Sequence, residues 1–236
     1  MLASPLDKGC DRDSPFFYDR VAMTDSFKSI RRDFAKGALA ENRVPSDPII
    51  LLKNWLEDAA KAELADYNAM GLSTVDSDGF PSTRAVLLRD ISSGGLCFYT
   101  NYKSAKGQEL EINPKASLQF FWPDLERQLR IRGLVERLSA EESDQYFASR
   151  PRESQIGAWA SPQSESIISR EFLEQNYQRY SEKFALVKVI PRPEHWGGYR
   201  LTPNVFEFWQ GRPNRMHDRL RAVLVRETWA WDRLAP

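Results

Sequence analysis

The sequence predicts a mainly β protein in which helices pack outside a closed or nearly closed barrel. Six or more segments alternate apolar and polar residues with a period of two, and turn-sized gaps separate them. Helical segments interrupt these strands, and the chain contains no internal repeat or low-complexity block. Antiparallel strands joined in this way favour a barrel with peripheral helices.

The composition indicates a soluble cytoplasmic protein. The chain has 236 residues, and its 33 basic and 33 acidic side chains give a net charge of zero. This balance argues against bulk electrostatic binding to nucleic acid or to a membrane surface. No apolar run suits a membrane span or a signal peptide. Two cysteines, Cys10 and Cys97, and two histidines, His195 and His217, support neither a disulfide framework nor a metal site.

The N-terminal part is predicted to contain a mobile arm and two helices. Residues 1–25 are polar and without period, and residues 26–39 have the spacing of a short amphipathic helix. A second helix begins clearly, because Asp47 is a good N-cap and Pro48 suits the first helical position. Its apolar stripe consists of Ile50, Leu51, Trp55, Leu56 and Ala59.

From Tyr67 onwards the pattern is that of strands. A three-stranded meander is predicted over residues 69–75, 83–89 and 96–100, with its first turn at residues 76–79. A helix over 104–112 precedes a hairpin made of residues 116–122 and 128–138. Ser139 and Glu142 form a capping box for the next helix. Further helices are predicted over 154–159 and 170–184, and further strands over 205–209, 220–226 and 228–233.

Basic side chains on or near strands are the first candidate site residues. Arg84 shares a strand face with Val86 and Leu88, and a charge there is costly unless a bound anion or a buried carboxylate answers it. An arginine at the rim of an edge strand is the plainer alternative. Lys106 lies at a helix N-terminus, where free amides favour a phosphate, but this signal is weak by itself.

Two more groups of residues could hold anions or rings. Tyr146 and Arg150 are four residues apart on one helix face and can converge on an oxyanion, with Ser154 donating from the next segment. Packing and surface roles would explain the same residues. Gln163 and Ser164 offer polar groups in a loop. The stretch from residue 196 to 219 opens with a corner at Gly197-Gly198 and brings Trp209, Arg215, His217 and Arg219 close in sequence.

These groups together suggest a phosphorylated cofactor beside a phosphorylated substrate. The glycine-rich nucleotide motifs, the nucleophile elbow and the zinc-protease motif are all missing from the sequence. The cofactor would therefore be held by side chains on a barrel.

Several motifs resemble those of the pyridoxine/pyridoxamine 5'-phosphate oxidase family. They are RAVLLR at 84–89, FYTN at 98–101, RPRESQIGAW at 150–159, QS at 163–164, FWQG at 208–211, RMHDR at 215–219 and DRLAP at 232–236. The resemblance covers residues 26–236 as a single domain. It implies an FMN-binding split β-barrel that forms a homodimer, with FMN in clefts at the subunit interface.

The resemblance also implies a set of site residues. The FMN contacts are Arg84, Ala85, Val86, Leu87, Leu88, Arg89, Tyr99, Thr100, Lys106, Gln128, Gln163, Ser164, Trp209 and Arg219. The substrate contacts are Arg89, Tyr146, Arg150 and Ser154 for the phosphate, and Arg215 and His217 beside the pyridine ring. Arg215 and His217 are the implied catalytic residues.

Two positions depart from the family pattern. Arg89 stands where the family usually has lysine, which keeps the charge and changes a point donor into a fork. Ala105 stands where the family usually has arginine. Losing one charge-assisted contact costs on the order of 1.5 to 3 kcal/mol, so FMN is expected to bind more weakly unless another cation substitutes.

The implied reaction is oxidation of pyridoxine or pyridoxamine 5'-phosphate to pyridoxal 5'-phosphate, with dioxygen reduced to hydrogen peroxide. Arg215 would hold the substrate ring, and His217 would orient the reacting group or help to deprotonate it. Two alternatives stay open. One is a split-barrel flavin enzyme with another small substrate, and the other is a non-catalytic protein that binds a B6 phosphate.

Overall fold

The computed structural model describes residues 32–236. The chain divides into two units, Met1–Asp33 and Phe34–Pro236, and every element below belongs to the second. The predicted arm over residues 1–25 and the start of the helix predicted over 26–39 lie outside the described residues. The described remainder of that helix prediction is wrong, because residues 32–40 are not helical. The amides of Ala35 and Lys36 donate instead to the Glu126 carboxylate, at 2.8 and 2.9 Å.

Five α-helices and nine strands are found in residues 32–236. The helices are α1 (Pro48–Lys61), α2 (Ala105–Ile112), α3 (Ala140–Ser149), α4 (Arg152–Ala160) and α5 (Arg170–Phe184). The strands are β1 (Ala69–Val75), β2 (Pro81–Leu87), β3 (Asp90–Ser92), β4 (Gly95–Asn101), β5 (Lys115–Trp122), β6 (Arg127–Arg137), β7 (Trp196–Gln210), β8 (Asp218–Val225) and β9 (Thr228–Arg233). The mainly β prediction is confirmed.

The order of the strands shows why the sheet curls. All nine strands belong to one antiparallel sheet with the order β2-β1-β5-β6-β7-β4-β3, and β8 and β9 continue from β7. The end strands β2 and β3 are separated in the chain only by Leu88 and Arg89. A connection this short requires the two ends of the sheet to meet, and the Arg89 amide donates to the Cys97 carbonyl on β4 at 2.9 Å. The sheet is therefore a nearly closed barrel.

The prediction of a meander is wrong in its third strand. The β1–β2 hairpin is confirmed, but β4 pairs with β3 and β7 and not with β2. Gly197 and Gly198 lie inside β7, not at a corner. A Cβ at Gly198 would lie 2.7 Å from the Tyr99 ring on β4, so glycine is needed where these strands approach closely. The alternation of apolar and polar residues identifies a strand but not the strand with which it pairs.

The barrel interior is apolar and aromatic. Leu72, Phe120, Ile131, Phe206 and Phe208 are fully buried there. Successive side chains along a strand point alternately to this core and to the outer face of the sheet, as the period-two pattern requires. No helix among residues 32–236 is long and apolar enough to cross a membrane.

Helix α1 covers one side of the barrel. Asp47 caps it as expected, with its Oδ1 accepting from the Ile49 amide at 2.9 Å. Trp55 packs edge-on against Phe208 at 5.1 Å between ring centroids. One member of the predicted stripe is wrong, since Ile50 is 47% exposed and Leu52 takes the buried position.

Helices α3, α4 and α5 form a smaller second core against the start of β7. The predicted capping box at Ser139 and Glu142 is confirmed. The buried residues of this core are Phe147, Ile156, Phe184, Ile190 and Trp196. This second core places α3 and the loop after α4 beside β4 and α2. The largest set of candidate site residues lies there.

Candidate functional site

A cavity of about 590 Å³ gathers residues from β2, β4, α2, α3, the loop after α4 and the first residue of β7. We call it the anion cavity. Its lining residues are Arg84, Ala85, Val86, Leu87, Arg89, Tyr99, Thr100, Ala105, Lys106, Tyr146, Arg150, Gln163, Ser164 and Trp196. Most of the residues that the resemblance implies as FMN contacts or as contacts to the substrate phosphate therefore lie together.

Lys106 is a buried cation surrounded by neutral oxygens. Its side chain is 8% exposed, and its Nζ lies 3.2 Å from Ser104 Oγ, 3.3 Å from Thr100 Oγ1 and 3.3 Å from Gln163 Oε1. No carboxylate within residues 32–236 forms an ion pair with it. A buried ammonium without a counter-charge is costly, and a bound anion would supply that charge.

Arg84 forms an ion pair with a carboxylate of its own chain. Its Nη2 donates to Glu109 Oε2 at 3.0 Å, and its Nη1 donates to the Ser82 carbonyl at 3.2 Å and to Thr74 Oγ1. Glu109 is a buried residue of α2 that our sequence analysis did not select. Burial lowers the pKa of Lys106, and nearby Arg84 lowers it further while Glu109 acts in the opposite direction.

Arg150 is a further cation that lines the cavity. Its guanidinium lies 4.5 Å from the centre of the Trp196 ring, and its Nη1 is buried without a hydrogen-bond partner. Burial lowers the pKa of Arg150. Tyr146 stacks on Tyr99 at 3.7 Å between ring centroids, and burial raises the pKa of Tyr99 to about 12. The Tyr99 phenol is therefore protonated at neutral pH and able to donate a hydrogen bond.

A second group of candidate residues lies on β6, β7 and β8 and not in the anion cavity. Gln128, Trp209 and Arg219 are register partners and form one row across the three strands. Arg219 is held by Glu207, whose Oε1 lies 2.9 Å from its Nη2. The other carboxylate oxygen of Glu207 accepts from Arg130 at 2.8 Å. This buried carboxylate fixes the position of Arg219.

The loop after β7 carries Arg215 and His217. Arg215 is exposed and has a positive φ of 59°, and the preceding Asn214 has a φ of 57°. Two successive left-handed residues store backbone strain, which is typical of functional loops. His217 accepts a hydrogen bond at Nδ1 from the Arg212 amide at 3.1 Å. Its ring lies 4.7 Å from Trp209 and meets the Phe34 ring edge-on at 5.4 Å.

The structure divides the sequence-predicted residues between these two places. Gln128, Trp209, Arg215, His217 and Arg219, which we call the second half-site, do not line the anion cavity. Two predicted contacts lie in neither group. Leu88 is buried in the barrel core, and Ser154 lies half-buried in the first turn of α4 without lining the cavity.

The comparisons with known proteins decide the family. Residues 56–184 match the family model described as pyridoxamine 5'-phosphate oxidase, which is more than half of the chain. The chain belongs to this family. Residues 196–236 match the model described as the pyridoxine 5'-phosphate oxidase C-terminal dimerisation region, and this part carries four of the five residues of the second half-site.

Individual relatives agree with this assignment. A pyridoxine/pyridoxamine 5'-phosphate oxidase of Polynucleobacter asymbioticus is 52% identical over 212 residues, covering 90% of this chain and all of the relative. The protein of the same name from Pseudomonas putida is 50% identical over 217 residues, covering 91% of this chain and all of the relative.

Solved structures confirm the split-barrel fold of the family. PhzG from Burkholderia lata, in complex with tetrahydrophenazine-1-carboxylic acid, has a TM-score of 0.79 and 33% identity over 84% of this chain and 98% of its own. An FMN-binding protein of Nostoc punctiforme, related to pyridoxamine 5'-phosphate oxidase, has a TM-score of 0.64 at 17% identity over 85% of this chain and all of its own. The latter similarity concerns the fold alone.

Proposed function

We propose that this protein is an FMN-dependent oxidase that converts pyridoxine 5'-phosphate and pyridoxamine 5'-phosphate to pyridoxal 5'-phosphate. The observation that carries the proposal is the anion cavity with Lys106 and Arg150. Lys106 is buried, Arg150 is half-buried with its Nη1 atom buried, and neither has a carboxylate partner among the described residues. Two such cations in one cavity fit two phosphate groups, one from a cofactor and one from a substrate.

FMN would be held mainly at the Lys106 side of the cavity. Lys106, Arg84, Gln163 and Ser164 would contact its phosphate, and β2 and Tyr99 would line its other parts. When bound, FMN supplies a two-electron acceptor that takes a hydride equivalent from the substrate carbon and returns the electrons to dioxygen as hydrogen peroxide. The protein contributes position and electrostatics.

The substrate phosphate would be held at the Arg150 side. Arg89, Tyr146 and Arg150 can neutralise and hydrogen-bond a dianion, and the buried Nη1 of Arg150 would gain an acceptor. Ser154 would assist from α4. Oxidation of the alcohol yields the aldehyde and hydrogen peroxide. Oxidation of the amine also consumes water and releases ammonia.

We further propose that a complete site needs two copies of the chain. Arg215, His217, Trp209, Arg219 and Gln128 would come from the second half-site of one protomer and face the anion cavity of its partner. Support comes from their absence from the cavity of their own chain and from the match to a dimerisation region. A homodimer would then contain two equivalent sites.

Subunit complementation tests this arrangement. Arg150→Ala removes a cavity residue and Arg215→Leu removes a residue of the second half-site, so each homodimer should be nearly inactive. A heterodimer purified through two different tags should regain about half of the normal activity, because one of its two sites is intact. Activity that stays at the level of the two mutant homodimers would contradict the shared site.

A second candidate function deserves a direct comparison. The similarity to PhzG, solved with tetrahydrophenazine-1-carboxylic acid, favours a flavin oxidase acting on a carboxylated tricycle. Hydrogen peroxide formation should therefore be measured with pyridoxine 5'-phosphate, pyridoxamine 5'-phosphate and that acid. We expect kcat/KM to be highest for the two phosphates. A higher value for the tricyclic acid would replace the proposed substrate and leave the flavin oxidase class intact.

A further inference from the structure

Arg84 is held by hydrogen bonds to two buried side chains from two other elements. Its Nη2 donates to Glu109 Oε2 on α2 at 3.0 Å, and its Nη1 donates to Thr74 Oγ1 on β1. The Thr74 hydroxyl in turn donates to the same Glu109 oxygen. Thr74 is fully buried and Glu109 is 9% exposed, so little water can compete for these contacts. The three side chains therefore fix one another.

The hairpin of β1 and β2 supplies the rest of this support. Leu72 is the register partner of Arg84, so Thr74 lies diagonally opposite Arg84 on the same face of the sheet. Arg84 Nη1 also donates to the Ser82 carbonyl at 3.2 Å and to the Leu72 carbonyl at 3.4 Å. The hairpin and the Glu109 carboxylate therefore hold the guanidinium together.

Part of the Arg84 guanidinium remains free for a ligand. An arginine has five N–H groups, two on each Nη and one on Nε. The contacts of Nη1 use both of its hydrogens, and Nη2 uses one for Glu109. Within residues 32–236, neither Nε nor the second hydrogen of Nη2 has an acceptor. Because Arg84 lines the anion cavity, these two donors are available to an anion there.

Glu109 pairs with Arg84 and not with the lysine of its own helix. Lys106 lies three residues earlier in α2, a spacing at which side chains can pair. Its Nζ instead lies 3.3 Å from Thr100 Oγ1 and 3.3 Å from Gln163 Oε1. The carboxylate therefore orders one cation of the cavity and leaves the charge of the other for a ligand.

We propose that Glu109 is a positioning residue for the FMN phosphate, and that it acts by ordering Arg84 together with Thr74. This inference rests on the proposed function, because it requires FMN in the anion cavity. A long side chain that is ordered before binding loses less conformational freedom when the ligand arrives, which favours affinity. The negative charge of Glu109 itself opposes a phosphate, so its benefit comes through the geometry of Arg84.

Two substitutions separate this geometry from the charge. Glu109→Gln removes the charge and keeps a side-chain oxygen that can accept from Arg84 and Thr74. Glu109→Ala removes both the charge and the acceptor. Titration of each FMN-free variant with FMN, followed by quenching of flavin fluorescence, gives the two dissociation constants. We expect the constant of Glu109→Ala to be roughly 2- to 10-fold the larger, the worth of ordering one long side chain. Equal constants would overturn the proposal.

The same two variants in an Arg84→Met background test for a role in packing alone. Without the guanidinium there is nothing for Glu109 to order, so the difference between glutamine and alanine at position 109 should disappear. A difference that persists would overturn the proposal.

A further variant tests the triad if the alanine variant does not fold. Thr74→Val removes the hydroxyl with almost no change of volume or charge. It should weaken FMN binding in the unmodified protein and have no effect in the Arg84→Met background. An equal effect of Thr74→Val in both backgrounds would overturn the proposal.

This inference and the proposed function fail in different ways. If the protein binds FMN and oxidises neither B6 phosphate, the proposed substrate is wrong, and the FMN affinities still test the role of Glu109. If oxidation proceeds and Glu109→Gln and Glu109→Ala bind FMN equally well, only the present inference is wrong. A protein that binds no FMN would overturn both.

Discussion

Arg150 lies with its guanidinium 4.5 Å from the centre of the Trp196 ring while its Nη1 atom is buried and has no hydrogen-bond acceptor. The aromatic face offsets part of the cost of burying this charge, and a phosphate oxygen would offset the rest. Trp196 therefore positions the cation that we assign to the substrate phosphate. It lies at the first position of β7, outside the motifs that carried the family resemblance.

Replacing Trp196 with leucine should weaken substrate binding through Arg150. A cation–π contact is worth about 0.5 to 2 kcal/mol, so the KM for pyridoxine 5'-phosphate should rise roughly 2- to 30-fold. Steady-state oxidation assays measure this, and Trp196→Phe, which keeps a ring, should be affected less. An equal loss of kcat/KM for unphosphorylated pyridoxine would contradict the assignment.

Ala105 offers a gain-of-affinity test at the anion cavity. Ala105 lines the cavity and is exposed, so an arginine has room there. Ala105→Arg should tighten FMN binding by about 10- to 100-fold, which corresponds to one charge-assisted contact of 1.5 to 3 kcal/mol. Quenching of FMN fluorescence measures the affinity. Gln108→Arg adds the same charge to an exposed position of α2 outside the cavity, and an equal gain there would show a general charge effect.

The affinity for FMN should fall as the pH rises. Burial lowers the pKa of Lys106 below the 10.5 of an ordinary lysine, so its Nζ loses the proton, and with it the charge, earlier in an alkaline titration. The dissociation constant of FMN should therefore increase as the pH is raised through the alkaline range below 10.5. In Lys106→Arg the charge persists and the dissociation constant should change much less. Parallel curves for the two proteins would exclude Lys106 as the titrating group.

Two helical glycines should respond oppositely to alanine. A Cβ at Gly107 in α2 would lie 2.1 Å from the Tyr102 carbonyl oxygen, whereas a Cβ at Gly157 in α4 meets nothing within 4 Å. Gly107→Ala should destabilise the protein by about 1 to 3 kcal/mol through overpacking. Gly157→Ala should stabilise it by up to about 1 kcal/mol through helix propensity. Urea unfolding of the two variants measures both changes, and a stabilised Gly107→Ala would contradict the close approach in α2.

Much of the secondary structure could be predicted from the sequence because local signals specify it. The bounds of β1 and α5, the cap at Asp47 and the capping box at Ser139 follow from period and end residues. Strand partners could not be predicted in the same way. The pairing of β4 with β7 depends on Gly198 making room for Tyr99, which is a contact between residues far apart in the chain.

Many residues of the predicted site do lie together in the anion cavity, but the arrangement of the whole set could not be predicted from the sequence. The family motifs place Lys106 and His217 in one set of site residues. No local sequence signal indicates that Lys106 lies in the anion cavity and His217 outside it. The sequence left open whether Arg84 pairs with a carboxylate of the chain or with a bound anion. Its pairing with Glu109 depends on how α2 packs beside β1 and β2. Trp196 was missed as a cavity residue because a tryptophan before two glycines carries no specific signal.

The most direct test of the account follows the colour of the flavin. The purified protein is loaded with FMN, and its absorbance spectrum is recorded before and after anaerobic addition of pyridoxine 5'-phosphate. We predict that the flavin band bleaches, that it recovers when air is admitted, and that pyridoxal 5'-phosphate and hydrogen peroxide form in equal amounts. A bound flavin that keeps its band in the presence of this substrate would contradict the proposed activity, and a protein that binds no FMN would contradict the proposed cofactor.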